Sequence, residues 1–205
     1  MRNKLHDITC INPGDAAFAH TLRRYLHDQP PKAIYTLGNL NILQTKPLAL
    51  FSSVKCPGDI ILKTYDLAQE LREKGATLIG GFHSPMEKEC LTILLRGTQP
   101  VIVCPAKSIS EMPIPAAYRK PLEQGRLLLL SPFDDKQRRT TAQSAYYRNR
   151  FIAALADKVF ITYAEPSGKT EQVCKEALGW GKEVYTFESG YNKQLMELGA
   201  ITRKP

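Results

Sequence analysis

From residue 47 onward, short apolar runs alternate with amphipathic stretches. The runs Leu48–Phe51, Ala76–Ile79, Val101–Cys104, Leu127–Leu130, Val159–Thr162 and Val184–Phe187 are mostly apolar throughout, as strands buried on both faces are. Each interval between them is long enough for a crossover. The pattern therefore predicts α/β architecture over 47–205: a doubly wound, largely parallel sheet in three α/β/α layers. After the first run, Asp59 is positioned to cap a helix with Ile61, Tyr65, Ala68 and Leu71 on one face, ended by Gly75. Ser84 and Glu87 form a capping box with Pro85 at the first helical position, and Gly97 stops that helix. Later helices are expected near Ser167 and Tyr191, with Arg203 and Lys204 exposed at the end. Residues 1–46, with Pro13, Pro30 and Pro31, read as an irregular arm around one short helix from Gly14 to His27.

Composition narrows the class. The 205 residues suit one core. A hydrophobic share of 43% with 23% charged residues excludes a mostly disordered chain. Lys and Arg number 28 against 20 Asp and Glu, so the formal charge of +8 favours anionic partners. Cys10, Cys56, Cys90, Cys104 and Cys174 contain no Cys-x-x-Cys pair and read as reduced and mostly buried, in a cytoplasmic protein. His6, His20, His27 and His83 do not approach metal-ligand spacing with them, so no metal is assigned, and no cofactor either. No apolar run reaches the length of a membrane span, and the charged start has no apolar stretch behind it.

In such a sheet anions bind at the carboxyl ends of the strands, on free helix N-termini. Three loops there carry suitable chemistry. The first offers Ser52, Ser53 and Lys55; the second Gly80, Gly81, His83 and Ser84, whose glycines would let a ligand approach the backbone; the third Ser167, Gly168, Lys169 and Thr170. Gly168-Lys169-Thr170 ends like a Walker A loop, but position 163 is Tyr where that motif needs Gly, so a P-loop is rejected. Gly-x-Gly-x-x-Gly is absent after the first run, which excludes a standard NAD site. The loop 131–141 is polar with a basic end at Lys136, Arg138 and Arg139.

On a helix, Arg148 extends the stripe of Phe151, Ile152 and Leu155 that faces the sheet. A buried guanidinium needs an acceptor. That acceptor is either a phosphate, which arginine suits by its planar fork, or a carboxylate of Glu165 or Glu171.

Several blocks together resemble the DprA/Smf DNA-processing family: Pro30 to Leu40, Arg148-Asn149-Arg150-Phe151-Ile152-Ala153-Ala154-Leu155, Ser167-Gly168, Ala177-Leu178, Gly181 to Tyr185, Gly190-Tyr191-Asn192 and Leu198-Gly199-Ala200. The resemblance implies an extended Rossmann-like domain that binds single-stranded DNA, forms homodimers, and helps load a RecA-type recombinase during DNA uptake. Carried over by position, Arg148 and Arg150 match arginines of the family's anion pocket, with Asn149 between them, and Ser167 and Gly168 match its phosphate-side loop. Departures are visible. Where the family has Gly-Ser-Arg this chain has Phe51-Ser52-Ser53, with Lys55 as a displaced substitute; Pro85 and Leu91 replace a glycine and a histidine. The winged-helix extension of many relatives is expected to be missing.

A related group of nucleotide-cleaving phosphoribohydrolases shares the fold, and Pro166 to Glu171 echoes its loop weakly. An enzyme of that kind would need Glu171 or Glu87 at the ribosyl centre. A nucleotide sensor without chemistry is the third reading, so single-stranded DNA and free nucleotide both stand as partners.

Overall fold

The computed structural model describes residues 8–12 and 19–203. Nine strands among them form one sheet: β1 (Thr9–Ile11), β2 (Ile34–Gly38), β3 (Leu48–Ser52), β4 (Leu78–Gly80), β5 (Val101–Val103), β6 (Leu127–Ser131), β7 (Lys158–Tyr163), β8 (Val184–Phe187) and β9 (Ile201–Arg203). Their spatial order is β1-β2-β6-β5-β4-β3-β7-β8-β9. From β6 across to β9 all neighbours are parallel, whereas β2 lies antiparallel to β6 and β1 antiparallel to β2.

The helices are α1 (Ala19–Tyr25), α2 (Gly58–Glu73), α3 (Pro85–Leu95), α4 (Ala116–Glu123), α5 (Ala142–Leu155), α6 (Lys169–Gly179) and α7 (Lys193–Glu197). Strand residues alternate between two cores. Ala49, Phe51, Ile79, Ile102, Leu128 and Ile161 pack under α1, α5, α6 and α7, through Leu22, Phe151, Val173 and Leu195. Leu50, Leu78, Val101, Val103 and Leu127 pack on the other face under α2, α3 and α4, through Leu67, Leu94 and Leu122. The central strands are covered on both faces, which is why they read as unbroken apolar runs.

The α/β/α layering and parallel core agree with the sequence pattern, but several elements differ. The stretch expected to be an irregular arm supplies β1 and β2, which extend the sheet beyond β6; α1 falls inside the expected helix, whose beginning at Gly14 lies outside the described residues. Pro57, not Asp59, is the N-cap of α2, with Asp59 in its first turn. Its buried stripe is accordingly Ile60, Thr64, Leu67, Ala68 and Leu71, leaving Ile61 and Tyr65 half-buried. The capping box of α3 is present as expected, with Pro85 in its first turn. Arg203, expected to be exposed, closes β9 and pairs with Glu70 at 2.5 Å; Lys204 lies outside the described residues. Among the described residues no helix is long and apolar enough to cross a membrane.

Candidate nucleic-acid interface

The winding of the sheet reverses at β3, which has β4 on one side and β7 on the other. Crevices at such reversals, beyond the carboxyl ends of the strands, are the usual ligand sites of open α/β sheets. Here the reversal is laced by Ser53. Its amide donates to the Tyr163 carbonyl at 2.9 Å, its hydroxyl accepts from the Glu165 amide at 2.9 Å, and the same hydroxyl donates to Thr170 Oγ1 at 3.1 Å. The loops after β3 and β7 are thus held together by one side chain.

The loop after β4 is tied to β3 by Glu87. One carboxylate oxygen accepts from the Ser52 amide at 3.0 Å; the other accepts from His83 at 2.8 Å and Ser84 at 3.3 Å. Ser84 Oγ in return accepts from the Glu87 amide at 3.2 Å. A carboxylate that satisfies three backbone donors in a buried corner has a structural task, and the same holds for Glu171. Its Oε2 accepts from the Ser167 amide at 2.9 Å while Oε1 pairs with Lys175 at 2.6 Å, and these two contacts, Lys175 foremost, hold its carboxyl below the usual glutamate range. Ser167 itself adopts a left-handed φ of 60°, and the position of a Cβ on Gly168 would be 2.8 Å from the Glu165 carbonyl oxygen. This tight turn delivers Thr170 to Ser53.

Arg148 stands over the second loop from α5. Only 4% of it is exposed, because helical spacing puts it in line with Ile152 on the sheet-facing side. Nη1 donates to the Cys104 carbonyl at 2.9 Å and Nε to Asn149 Oδ1 at 2.7 Å. Among the described residues no carboxylate lies within 4 Å of it, and Nη2 has no hydrogen-bond partner. Burial pushes its pKa below the ordinary arginine value, opposed by the Glu87 charge. Arginine ionises so strongly that it remains a cation.

The glycine pair has a different purpose from the one its sequence suggests. A Cβ on Gly81 would stand 2.0 Å from Arg148 Nη1, and one on Gly80 would stand 2.9 Å from the buried Phe82 ring. The protein's own guanidinium and phenyl ring occupy the space expected to admit a ligand to the backbone. Phe82, at 5% exposure with φ at 46°, is closed to base stacking.

Arg150 is not brought to this corner. Two residues along α5 from Arg148, it points away, donating to both carboxylate oxygens of Asp28 at 3.1 Å and to Glu176 at 2.6 Å. It fastens α5 to α6 and to the chain after α1. Lys55, His83 and Lys169 are exposed around the rim, with the Lys169 ammonium 5.1 Å from the Tyr146 ring centre. Ser52, Ser53, Ser84, Glu87 and Glu171 are buried and engaged in the bonds just described. Sequence reasoning missed the Cys104 carbonyl, a backbone acceptor 44 positions away from Arg148 that leaves no side-chain signal. It also missed the carboxylates of Asp28 and Glu176, since acidic residues with no local pattern give no hint of a distant arginine.

The family model described as DNA recombination-mediator protein A matches residues 9–201. Protein Smf of Borreliella burgdorferi is 28% identical over 180 residues, which are 85% of this chain and 55% of that protein, so the chain spans about half the length of this curated relative. DNA processing protein A from Streptococcus pneumoniae has a similar structure, with a TM-score of 0.79 at 17% identity over 96% of this chain and 71% of that one. DNA processing protein A from Helicobacter pylori, whose structure is described as giving insight into a single-stranded DNA binding mode, reaches 0.76 at 18% identity over 97% and 90%. At these identities the two structures carry the fold, and the family follows from the match along nearly the whole chain: this protein belongs to the DNA recombination-mediator protein A family.

Proposed function

We propose that the chain binds single-stranded DNA along the carboxyl edge of its sheet, as a DNA-processing protein of uptake and recombination. The observation that carries this reading is Arg148: a buried cation without a carboxylate partner among the described residues, with an unpaired Nη2 at the edge where such folds bind ligands. A phosphate oxygen supplies the missing acceptor, and Lys55, His83 and Lys169 line the approach for neighbouring phosphates. The formal charge of +8 adds a long-range attraction to any polyanion. The single-stranded DNA named for the Helicobacter pylori protein supports this choice of ligand. Loading of a RecA-type recombinase and formation of a homodimer complete the reading, in line with the family's description as a recombination mediator.

Cleavage of a nucleotide receives no comparable support. Glu87 and Glu171, the carboxylates such chemistry would use, are each committed to backbone amides. Fluorescence anisotropy with a labelled oligonucleotide tests the proposal. Affinity should fall steeply with salt, by a log–log slope of about −0.7 for each phosphate neutralised on a single strand. Arg148→Glu should abolish binding while the protein still melts cooperatively. An absence of anisotropy change at low salt with folded wild-type protein would overturn it.

A further inference from the structure

Beside the Arg148 corner runs a second feature, a groove of about 460 Å³ whose lining includes Pro30, Lys32, Tyr35, Phe133, Lys136 and Tyr147. It lies on the same edge of the sheet. Because β2 is antiparallel, its beginning meets the end of β6: Tyr35 pairs with Ser131, and Phe133 follows two residues later. Tyr147 precedes Arg148 on α5, so one turn of that helix serves both groove and corner.

Tyr147 is held before any ligand arrives, and Phe133 packs against it. Tyr147 OH donates to the Gln29 carbonyl at 2.9 Å, and its ring meets Phe133 edge-on with centres 5.7 Å apart. The Phe133 amide donates to Ser131 Oγ at 3.2 Å, and the Lys136 amide to Asp134 Oδ1 at 3.0 Å, which fixes the turn that carries both residues. Lys32 and Lys136 are exposed, and among the described residues neither has a carboxylate within 4 Å. Arg138 and Arg139 stand exposed on the same loop.

We propose that this groove is a base-stacking track for single-stranded nucleic acid, in which Phe133 receives a base while Lys32 and Lys136 hold the flanking phosphates. Fixed rings between unpaired cations are what a sequence-tolerant single-strand site requires, since every base has a π face and every linkage a charge. Prolines and aromatic rings also suit an extended proline-rich peptide. The lining carries two exposed cations, Lys32 and Lys136, against one exposed carboxylate, Asp134, and this balance favours a ligand with a negative charge at every unit. The proposal rests on the DNA reading above and adds to it the surface that meets the bases.

The test compares an oligothymidylate with an abasic backbone of the same length, both labelled, by anisotropy on the full chain. Wild-type protein should bind the oligothymidylate about tenfold more tightly, the scale of one stacked base. Phe133→Ala should erase that preference and leave abasic binding unchanged. Lys32→Glu with Lys136→Glu, which removes no packed group, should weaken both ligands. Equal wild-type affinity for the two ligands, or a preference that survives Phe133→Ala, would overturn the stacking track and leave the Arg148 reading intact. Wild-type binding to neither ligand would overturn both. Saturable binding of a labelled proline-rich peptide, abolished by Phe133→Ala in a protein with no preference for the oligothymidylate, would assign the groove to a peptide instead.

Discussion

At Gly81 the missing side chain is a seat for Arg148: a methyl group there would stand 2.0 Å from a guanidinium nitrogen. Gly81→Ala should therefore destabilise the fold by about 1–3 kcal/mol, the cost of overfilling a packed site. Urea denaturation reads the loss, and combining the change with Arg148→Ala should remove most of the penalty; additive losses would count against the contact. The two arginines of α5 have separable tasks. Arg150→Ala breaks contacts to Asp28 and Glu176 and should cost about 1–2 kcal/mol of stability while leaving DNA affinity unchanged. Arg148→Ala should instead lower DNA affinity, and equal affinities in the two variants would remove that distinction. The stripe that buries Arg148 is legible in sequence because helical spacing repeats every three to four residues. Its acceptor is illegible because a backbone carbonyl looks the same at every position.

The central elements of the fold could be read from the chain for a related reason. β3 to β8 are covered on both faces, so nearly every position in them must be apolar. β1 and β9 are short and mostly exposed, and their strand character comes from the neighbour they pair with. The start of α5 escaped notice because its capping box closes with Ser144 in place of Glu or Gln. The start of α3 did not, since Ser84 and Glu87 follow the common form. Ser84→Ala should cost about 1 kcal/mol, as for other N-caps. Glu87→Gln should cost more, because three backbone donors on two elements lose a charged acceptor. A thermal melt no lower for Glu87→Gln than for Ser84→Ala would mean that the link from α3 to β3 contributes nothing.

Across the whole molecule, ionisation sets both ends of the stability range. Glu171, Glu70 and Asp28 have carboxyls held below their ordinary values by Lys175, Lys74 with Arg203, and Arg150 respectively. Groups depressed in the folded state lend stability above their unfolded pKa, here 3.8 to 4.5, and lose it as the pH falls. Burial pushes the thiols of Cys90, Cys104 and Cys174 from 9.0 up to about 12, so above pH 9 the unfolded chain ionises first and stability declines toward pH 12. Lys182, lowered to about 8 by burial, opposes that decline in part. Urea midpoints should form a plateau between about pH 5 and 9, falling on both sides. The sheet also spans the sequence boundary at residue 46, since β2 and β6 pair across it. A chain beginning at residue 47 would leave β6 with an open edge and should aggregate, as sedimentation of the purified fragment would reveal. The hydroxyl of Ser53, which ties the loop after β3 to Glu165 after β7 and to Thr170 at the start of α6, has a further consequence for selectivity. A small molecule that must wedge between β3 and β7 has to break that clasp first, whereas a polymer laid over the rim leaves it closed. On the DNA reading proposed above, affinity should therefore rise with each nucleotide added to an oligonucleotide, and a mononucleotide should fail to compete in the anisotropy assay.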